Sequence, residues 1–250
     1  NRDVWLERVN LTPSQRLELQ ALVEETDTDA NRHYRYDYYR DNCSTRVRDA
    51  LDKVLGGQVR ASTENLDTGS TYRWHTARLL SPVLAAYAGI QFVVGRRGDA
   101  PISAWEEMFL PLRMREHLGN VRIRTPDGEE VPLLAPSVRM VETSHPPPPG
   151  EAPTFLLSFL GVGLVLSGLF VIAGEAVVRR QRWAKWVLVT TGTARSVTVG
   201  LLGTALVLSW FLTDHYFWGL NENVFQANPL SLALATMFLF AVFGRSRAVV

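Results

Sequence analysis

Apolar residues recur at helical spacing in the first part of the chain and run almost unbroken in the last part. LTPSQRLELQALVEE, from Leu11, sets Leu17, Leu19, Leu22 and Val23 on roughly one face. Thr12 suits an N-cap, Pro13 the first helical position, and Gln15 completes a capping box, which predicts a helix. Tyr34 to Tyr39 is rich in aromatics and reads as an extended segment. Asp41 or Asn42 then caps a second helix. Its Val47, Ala50, Leu51, Val54 and Leu55 keep 3.6-residue spacing until Gly56-Gly57 ends it. Residues 58–72 are polar and read as a loop. Thr76 to Val94 is mostly apolar and reads as one buried helix plus a short strand. In SAWEEMFLPLRMREHL, Ser103 caps a helix, Glu106 follows three residues on, and Pro111 divides it. VRIRTPDGEEVPLL reads as a hairpin around Asp127-Gly128.

HPPPPGEAP follows, a stiff polyproline spacer. It sets the expected domain boundaries: a polar domain over 1–144, a linker over 145–154 and a helical region over 155–250. From Phe155 to Val178 about 24 residues are apolar apart from Glu175, and about 20 suffice to span a bilayer. A second span is expected over Ser196 to Phe217, with Arg195 at one end, and a shorter third over Pro229 to Phe243. Buried core helices of a soluble domain would carry polar faces, and these segments have none. Arg179, Arg180, Arg182 and Lys185 mark a cytoplasmic end of the first span, and Arg245 and Arg247 that of the third. Residues 1–154 and the loop over 214–229 then lie on the opposite, periplasmic or outer side of a cytoplasmic membrane.

Charge follows the same division. Residues 1–150 hold 19 Lys and Arg against 21 Asp and Glu, and residues 151–250 hold 7 against 4, so the net is +1. That balance argues against a nucleic-acid partner. The single cysteine, Cys43, excludes an internal disulfide and a multi-cysteine zinc site. No phosphate loop, HExxH motif or metal-ligand cluster occurs, so neither metal nor cofactor is expected. The chain begins with Asn and lacks a signal-peptide pattern, which reads as a fragment or a mature chain.

YRYDYYRDNCSTRVRDALD places Cys43 in the expected first turn of the second helix. A helix N-terminus offers unpaired N–H groups and the positive end of the dipole. Such surroundings favour a thiolate, which is the nucleophile, and the same N–H groups can hold an oxyanion. Arg46 adds positive charge one turn on. Asp41 pairs with Arg46 or caps, and Asn42 and Ser44 are oxyanion donors or caps. A packed small residue is the plainer reading of a lone cysteine. Its polar neighbours and an extracytoplasmic setting, where a free thiol needs a reason, favour the nucleophile.

The cysteine segment resembles the core signature of the Lnb family of lipoprotein N-acyltransferases. FVVGRRGDAPISAWEEMFLP, DGEEVPLL and TDHYFWGLNENVFQANPL resemble later family segments in the same order, so the resemblance reaches over most of residues 10–240. It implies an α+β fold: the C-terminal part of a permuted papain-like, NlpC/P60-like, extracytoplasmic domain, followed by about three transmembrane helices. It also implies transfer of an acyl chain from the diacylglyceryl group of a bacterial lipoprotein to an α-amine, through an acyl-Cys43 intermediate. The partners are then bacterial lipoprotein and membrane phospholipid. Enzymes of that kind carry their general-base histidine upstream of the cysteine. The only upstream histidine, His33, does not match that place, so the base is expected in a preceding segment.

His215, with Asp214, Asn221 and Asn223, reads either as a base or lipid-head-group patch or as a wet loop beside an aromatic belt. His75 and His117 read as surface or interface histidines. Two rival functions stand beside transfer. One is a membrane-bound lipid esterase or amidase using Cys43, and the other is a non-enzymatic membrane protein with a partner-binding periplasmic domain.

Overall fold

A computed structural model describes residues 3–243, with side chains through 240. Along the chain run β1 (Val4–Leu6), α1 (Pro13–Thr26), α2 (Cys43–Val54), α3 (Gln58–Thr63), β2 (Asp67–Thr71), α4 (Tyr72–Leu80) and α5 (Leu84–Val93). After them come β3 (Pro101–Ser103), α6 (Ala104–Glu107), α7 (Pro111–Asn120), β4 (Arg122–Arg124), β5 (Glu130–Pro132) and β6 (Val138–Val141). Three long or apolar helices close the described chain: α8 (Leu156–Val178), α9 (Arg182–Leu212) and α10 (Ser231–Phe243). The mixture of helices and short strands is of the α+β class. The described residues of 1–75 and 100–149 form one compact unit, and those of 76–99 and 150–250 form another.

The first unit is built of three two-stranded antiparallel ladders, β1 with β6, β2 with β3 and β4 with β5, set among short helices. Its core joins Leu51, Val54 and Leu55 from the end of α2 to Val59 of α3, Met108, Leu118 of α7, Ile123 of β4 and Leu133. Val59, Met108 and Leu133 are fully shielded. Burying each such side chain contributes about 1.5–3 kcal/mol. The local signals act as expected. Thr12 and Gln15 close a capping box on α1, Ser103 and Glu106 close one on α6, and Pro111 opens α7 after the break. Asp127-Gly128 turns the chain between β4 and β5, with Gly128 at φ 83°.

Several expectations are corrected. Tyr34 to Tyr39 forms no strand. Asp37 Oδ1 accepts from the Tyr39 and Arg40 N–H groups at 2.9 Å each, closing a turn that an isolated Asp37–Asp41 bridge completes. An aspartate that bonds the backbone two and three residues on outweighs aromatic strand preference. Residues 58–72 hold α3 and β2 rather than a loop, because Val59 and Thr63 of α3 are buried against the core. Residues 76–94 hold the end of α4 and all of α5, interrupted around Pro82, with no strand. Val47 of α2 lies outside the buried face, half exposed.

In the second unit α8 and α9 form a hairpin. Its turn is a Schellman motif: Arg180 takes φ 59°, its N–H reaches the Val177 carbonyl at 2.8 Å, and the Gln181 N–H reaches that of Ala176 at 2.9 Å. α9 begins at Arg182, so the expected second span starts too late, and Arg195 falls within the helix rather than at its end. α10 lies along α9 over a seam of small residues, with Leu232 at Gly200 and the Ala227 carbonyl at Gly203. Among the described residues two helices, α8 and α9, are long and apolar enough to cross a membrane. Of α10, the 13 residues Ser231–Phe243 are described. Arg245 and Arg247 lie outside the described residues.

Candidate active site

Cys43 is the first residue of α2 and its thiol is exposed. Sγ makes no hydrogen bond to a described residue. The sequence flanking it explains why it stands there. Asn42 is the N-cap: its Oδ1 accepts from the Ser44 N–H at 2.8 Å and the Thr45 N–H at 2.9 Å, while the Thr45 hydroxyl oxygen accepts from the Asn42 N–H at 2.8 Å. Asn42 Nδ2 donates to the carbonyls of Tyr38 and Phe109, each at 3.0 Å. Ser44 Oγ donates to the Met108 carbonyl at 2.8 Å. Both flanking side chains are buried, so the start of α2 is bolted to the segment between α6 and α7 while Cys43 faces outward.

This arrangement decides which donors remain for a developing oxyanion. The Asn42 and Ser44 side chains, read from sequence as donors or caps, are both committed to the scaffold. So are the Ser44 and Thr45 N–H groups, and the Arg46 N–H donates to the Asn42 carbonyl at 3.0 Å. The Cys43 N–H itself has no described acceptor, and it lies beside the thiol. Arg46 is held by both carboxylate oxygens of Asp41 and lies 3.9 Å over the Tyr34 ring, which fixes its cation on the exposed side of the turn. Partial burial, and then the neighbouring Cys43, Tyr34 and Asp37, push the Tyr36 phenol up, so Tyr36 shares the electrostatic neighbourhood of the cysteine.

A second polar cluster escaped the sequence reading. Glu107, the last residue of α6, is 5 % exposed at its side chain. Its Oε1 accepts from His75 Nε2 at 2.7 Å and from Ser70 Oγ at 3.1 Å, and its Oε2 accepts from His117 Nε2 at 2.6 Å. Burial raises the carboxyl's affinity for a proton. The hydrogen bonds from His117 and His75, and the charge of Arg113 3.8 Å away, outweigh burial and hold Glu107 well below the usual carboxylate range. His75 is fully buried, which corrects its reading as a surface or interface residue. His117 is partly buried in the same cluster. A cavity of about 470 Å³ opens beside it, lined among others by Asp67, Ser70, Trp74, Glu107, Arg113 and His117. Separations of 32 and 10 residues carry no periodic signal, so nothing in the sequence groups these three.

The two clusters meet through the backbone. Glu107 is followed by Met108 and Phe109, whose carbonyls receive the Ser44 and Asn42 donors. Around them Tyr39 stacks on Tyr72 at 4.6 Å, and both meet Phe109 edge-on. The ionised glutamate, held by two histidines, thus fixes the segment that fixes the start of α2.

In the other unit, His215 stacks on Trp218 at 4.2 Å, beside Asp214. Asn221 is 1 % exposed, and its Nδ2 donates to the carbonyls of Phe92 and Val93 at 2.8 and 2.9 Å. Asn223 Nδ2 donates to the Phe92 and Gln91 carbonyls at 2.9 and 3.2 Å. These two asparagines satisfy the last carbonyls of α5, a structural use of both side chains. Among the described residues no group of three or more His, Cys, Asp or Glu is arranged to hold a metal ion.

Residues 1–82 match the family model described as the Lnb N-terminal periplasmic domain. The cysteine segment lies inside the match, and the later stretches that resemble the family lie beyond it. No curated protein and no solved structure matches the chain.

Proposed function

Taking residues 1–82 as an Lnb N-terminal periplasmic domain carried by a membrane protein, we propose that the chain is a cysteine-dependent lipoprotein N-acyltransferase. The observation that carries the reading is an exposed thiol on the first residue of a helix whose start is pinned from both sides by buried hydrogen bonds. A nucleophile needs that combination of access and fixed direction.

In the proposed reaction Cys43 Sγ attacks an ester carbonyl of the diacylglyceryl group on a lipoprotein. The Cys43 N–H donates to the oxyanion, and collapse expels the glycerol oxygen, which takes a proton and leaves a lyso-lipid. The acyl-cysteine is then attacked by the lipoprotein's α-amine; the C–S bond breaks and the thiol returns as the amide forms. Arg46, Asp41, Asn42 and Ser44 orient the turn. The permuted papain-like architecture, the inner-membrane location with residues 1–154 outside the cytoplasm, and lipoprotein and phospholipid as partners belong to this same reading. No described histidine hydrogen-bonds to Cys43; across the two steps the thiol's proton passes to the leaving glycerol oxygen and a proton of the α-amine restores the thiol. Exposure of the thiol also favours one second reading, in which water rather than an amine meets the acyl-cysteine and the enzyme is an esterase.

The test expresses the full-length protein, with and without Cys43→Ala, in cells depleted of lipoprotein acyltransferase, and reads lipoprotein N-termini by mass spectrometry. N-acylated termini that require Cys43 are the expected result. Free fatty acid released in a Cys43-dependent way, with unmodified termini, identifies the esterase. Identical lipids and termini in both strains, with the protein present in the membrane, overturn both readings.

A further inference from the structure

The continuity of α9 puts a cation where a bilayer has no water. α8 and α9 turn at Arg179–Gln181, and Trp183 and Trp186 stand exposed close to that turn. At the other end of α9, Trp210 donates to the Trp218 carbonyl, with Tyr216 nearby. Aromatic residues of this kind favour the two bilayer interfaces. From Trp186 to Trp210 the helix rises roughly 36 Å, close to the thickness of the hydrocarbon core with its borders. Arg195 stands about 14 Å along that path, deeper than its side chain can climb back to water. It is exposed, and among the described residues it makes no hydrogen bond or ion pair.

The surroundings of Arg195 show what is missing. Thr191 and Thr198, one turn to either side, are exposed too, so a polar stripe runs along the helix beside the seam that α10 covers. Ala184 lies three turns away on the same side of α9 and is fully buried, and the buried residues of α8 are only Ala173 and Ala176 near the turn. α8 therefore covers this side of α9 near the hairpin turn and leaves it open around Arg195. An ionisable residue at such depth is costly unless paired, and paired ones face other helices. α8, α9 and α10 contain one acidic residue, Glu175, three residues before the end of α8 and already beside Arg179. It lies roughly 15 Å from the level of Arg195. A second copy in the same orientation brings its own Glu175 to that same wrong level, and lipid phosphates stay at the interface.

We propose that the open face of α9 around Arg195 is a docking site for a transmembrane helix of different sequence that carries a carboxylate near mid-bilayer depth. The inference rests on α9 crossing a membrane and is independent of the chemistry at Cys43. The carboxylate takes the guanidinium in a charge-assisted pair, and Thr191 and Thr198 let the two helices approach closely.

The test reconstitutes the full chain in phosphatidylcholine bilayers at pH 8 and titrates it with Leu-rich, Lys-flanked transmembrane peptides by energy transfer. One peptide carries Glu at its centre, one Leu there, and one Glu in its last turn. The central-Glu peptide is expected to bind at least tenfold more tightly than the other two, and the preference is expected to vanish in both Arg195→Gln and Arg195→Leu. Equal binding of the three peptides, or a Glu preference that survives Arg195→Gln, overturns the proposal. So does Arg195-dependent self-association, which makes a second copy the occupant. A response to phosphatidylglycerol that needs Arg195, without any preference among the peptides, makes a lipid head group the occupant and overturns it as well. Depth is checked in a Cys43→Ser background. If a membrane-impermeant maleimide modifies Arg195→Cys as fast as Lys185→Cys, Arg195 is at water level and the site does not exist.

Discussion

Replacing Glu107 by glutamine tests the buried cluster that holds the start of α2. The carboxylate accepts three hydrogen bonds, two of them at 2.6–2.7 Å from imidazoles. Its affinity for a proton is lowered despite burial, so the site favours the ionised form over the neutral one and an uncharged isostere must lose stability. The amide keeps one acceptor oxygen and presents an NH2 group where His75 or His117 donates. A hydrogen bond to a charged group contributes about 1.5–3 kcal/mol against about 0.5–1.5 for a neutral one, so Glu107→Gln is expected to cost roughly 2–3 kcal/mol at pH 7. The pH dependence follows from the direction of the shift. The folded value lies below the ordinary 4.5, so the contribution is complete above about pH 4.5 and is lost as pH falls below it. The gap between wild type and variant should then narrow by about 1.4 kcal/mol for each pH unit below that point. Urea unfolding of the full chain in nanodiscs, followed by tryptophan fluorescence, measures it. Trp74 meets His75 edge-on at 4.8 Å and reports on the cluster directly. At about 1–3 kcal/mol per molar urea the expected shift of the midpoint is on the order of 1 M or more. An unchanged midpoint at pH 7, or a difference that persists undiminished to pH 3, would refute the reasoning.

Asn42→Ala removes two acceptor and two donor contacts at a buried cap and should destabilise the protein by roughly 2–4 kcal/mol in the same urea assay. Asn42→Asp, a good N-cap on an isolated helix, should fail as well, because its second oxygen faces the Tyr38 and Phe109 carbonyls; wild-type stability of the aspartate variant contradicts the account. Gly203→Ala drives a methyl group into the Ala227 carbonyl and should cost about 1–3 kcal/mol by thermal melting in nanodiscs. Gly168→Ala on α8, where an added Cβ meets nothing within 4 Å, is the matched control and should melt like wild type.

What the sequence determined is what short-range physics controls. Thr12, Asn42 and Ser103 cap their helices because a side-chain oxygen two or three residues from an orphan N–H needs no tertiary help. Pro111 breaks a helix through its own ring, Asp127-Gly128 turns a hairpin through its own backbone, and a mostly apolar run of 23 residues makes α8 whatever surrounds it. Cys43 was legible as a helix-start thiol for the same reason. Asp37 was a miss of a local signal, since an aspartate can bond the backbone N–H groups two and three residues on by itself. Other outcomes needed the folded chain. α3 forms in a polar stretch because Val59 has a core to enter. α9 runs on through Thr-Thr-Gly-Thr-Ala-Arg, where hydropathy alone placed an end, because its glycine seam receives α10. Glu107, His75 and His117 come from three separate elements, and the strength of their contact depends on the low-dielectric interior that only the assembled unit supplies. Short-range contacts repeat with the period of the helix or strand that makes them and so leave a trace in the sequence. A buried ion held by partners 10 and 32 residues away repeats with nothing, and tertiary structure alone decides it.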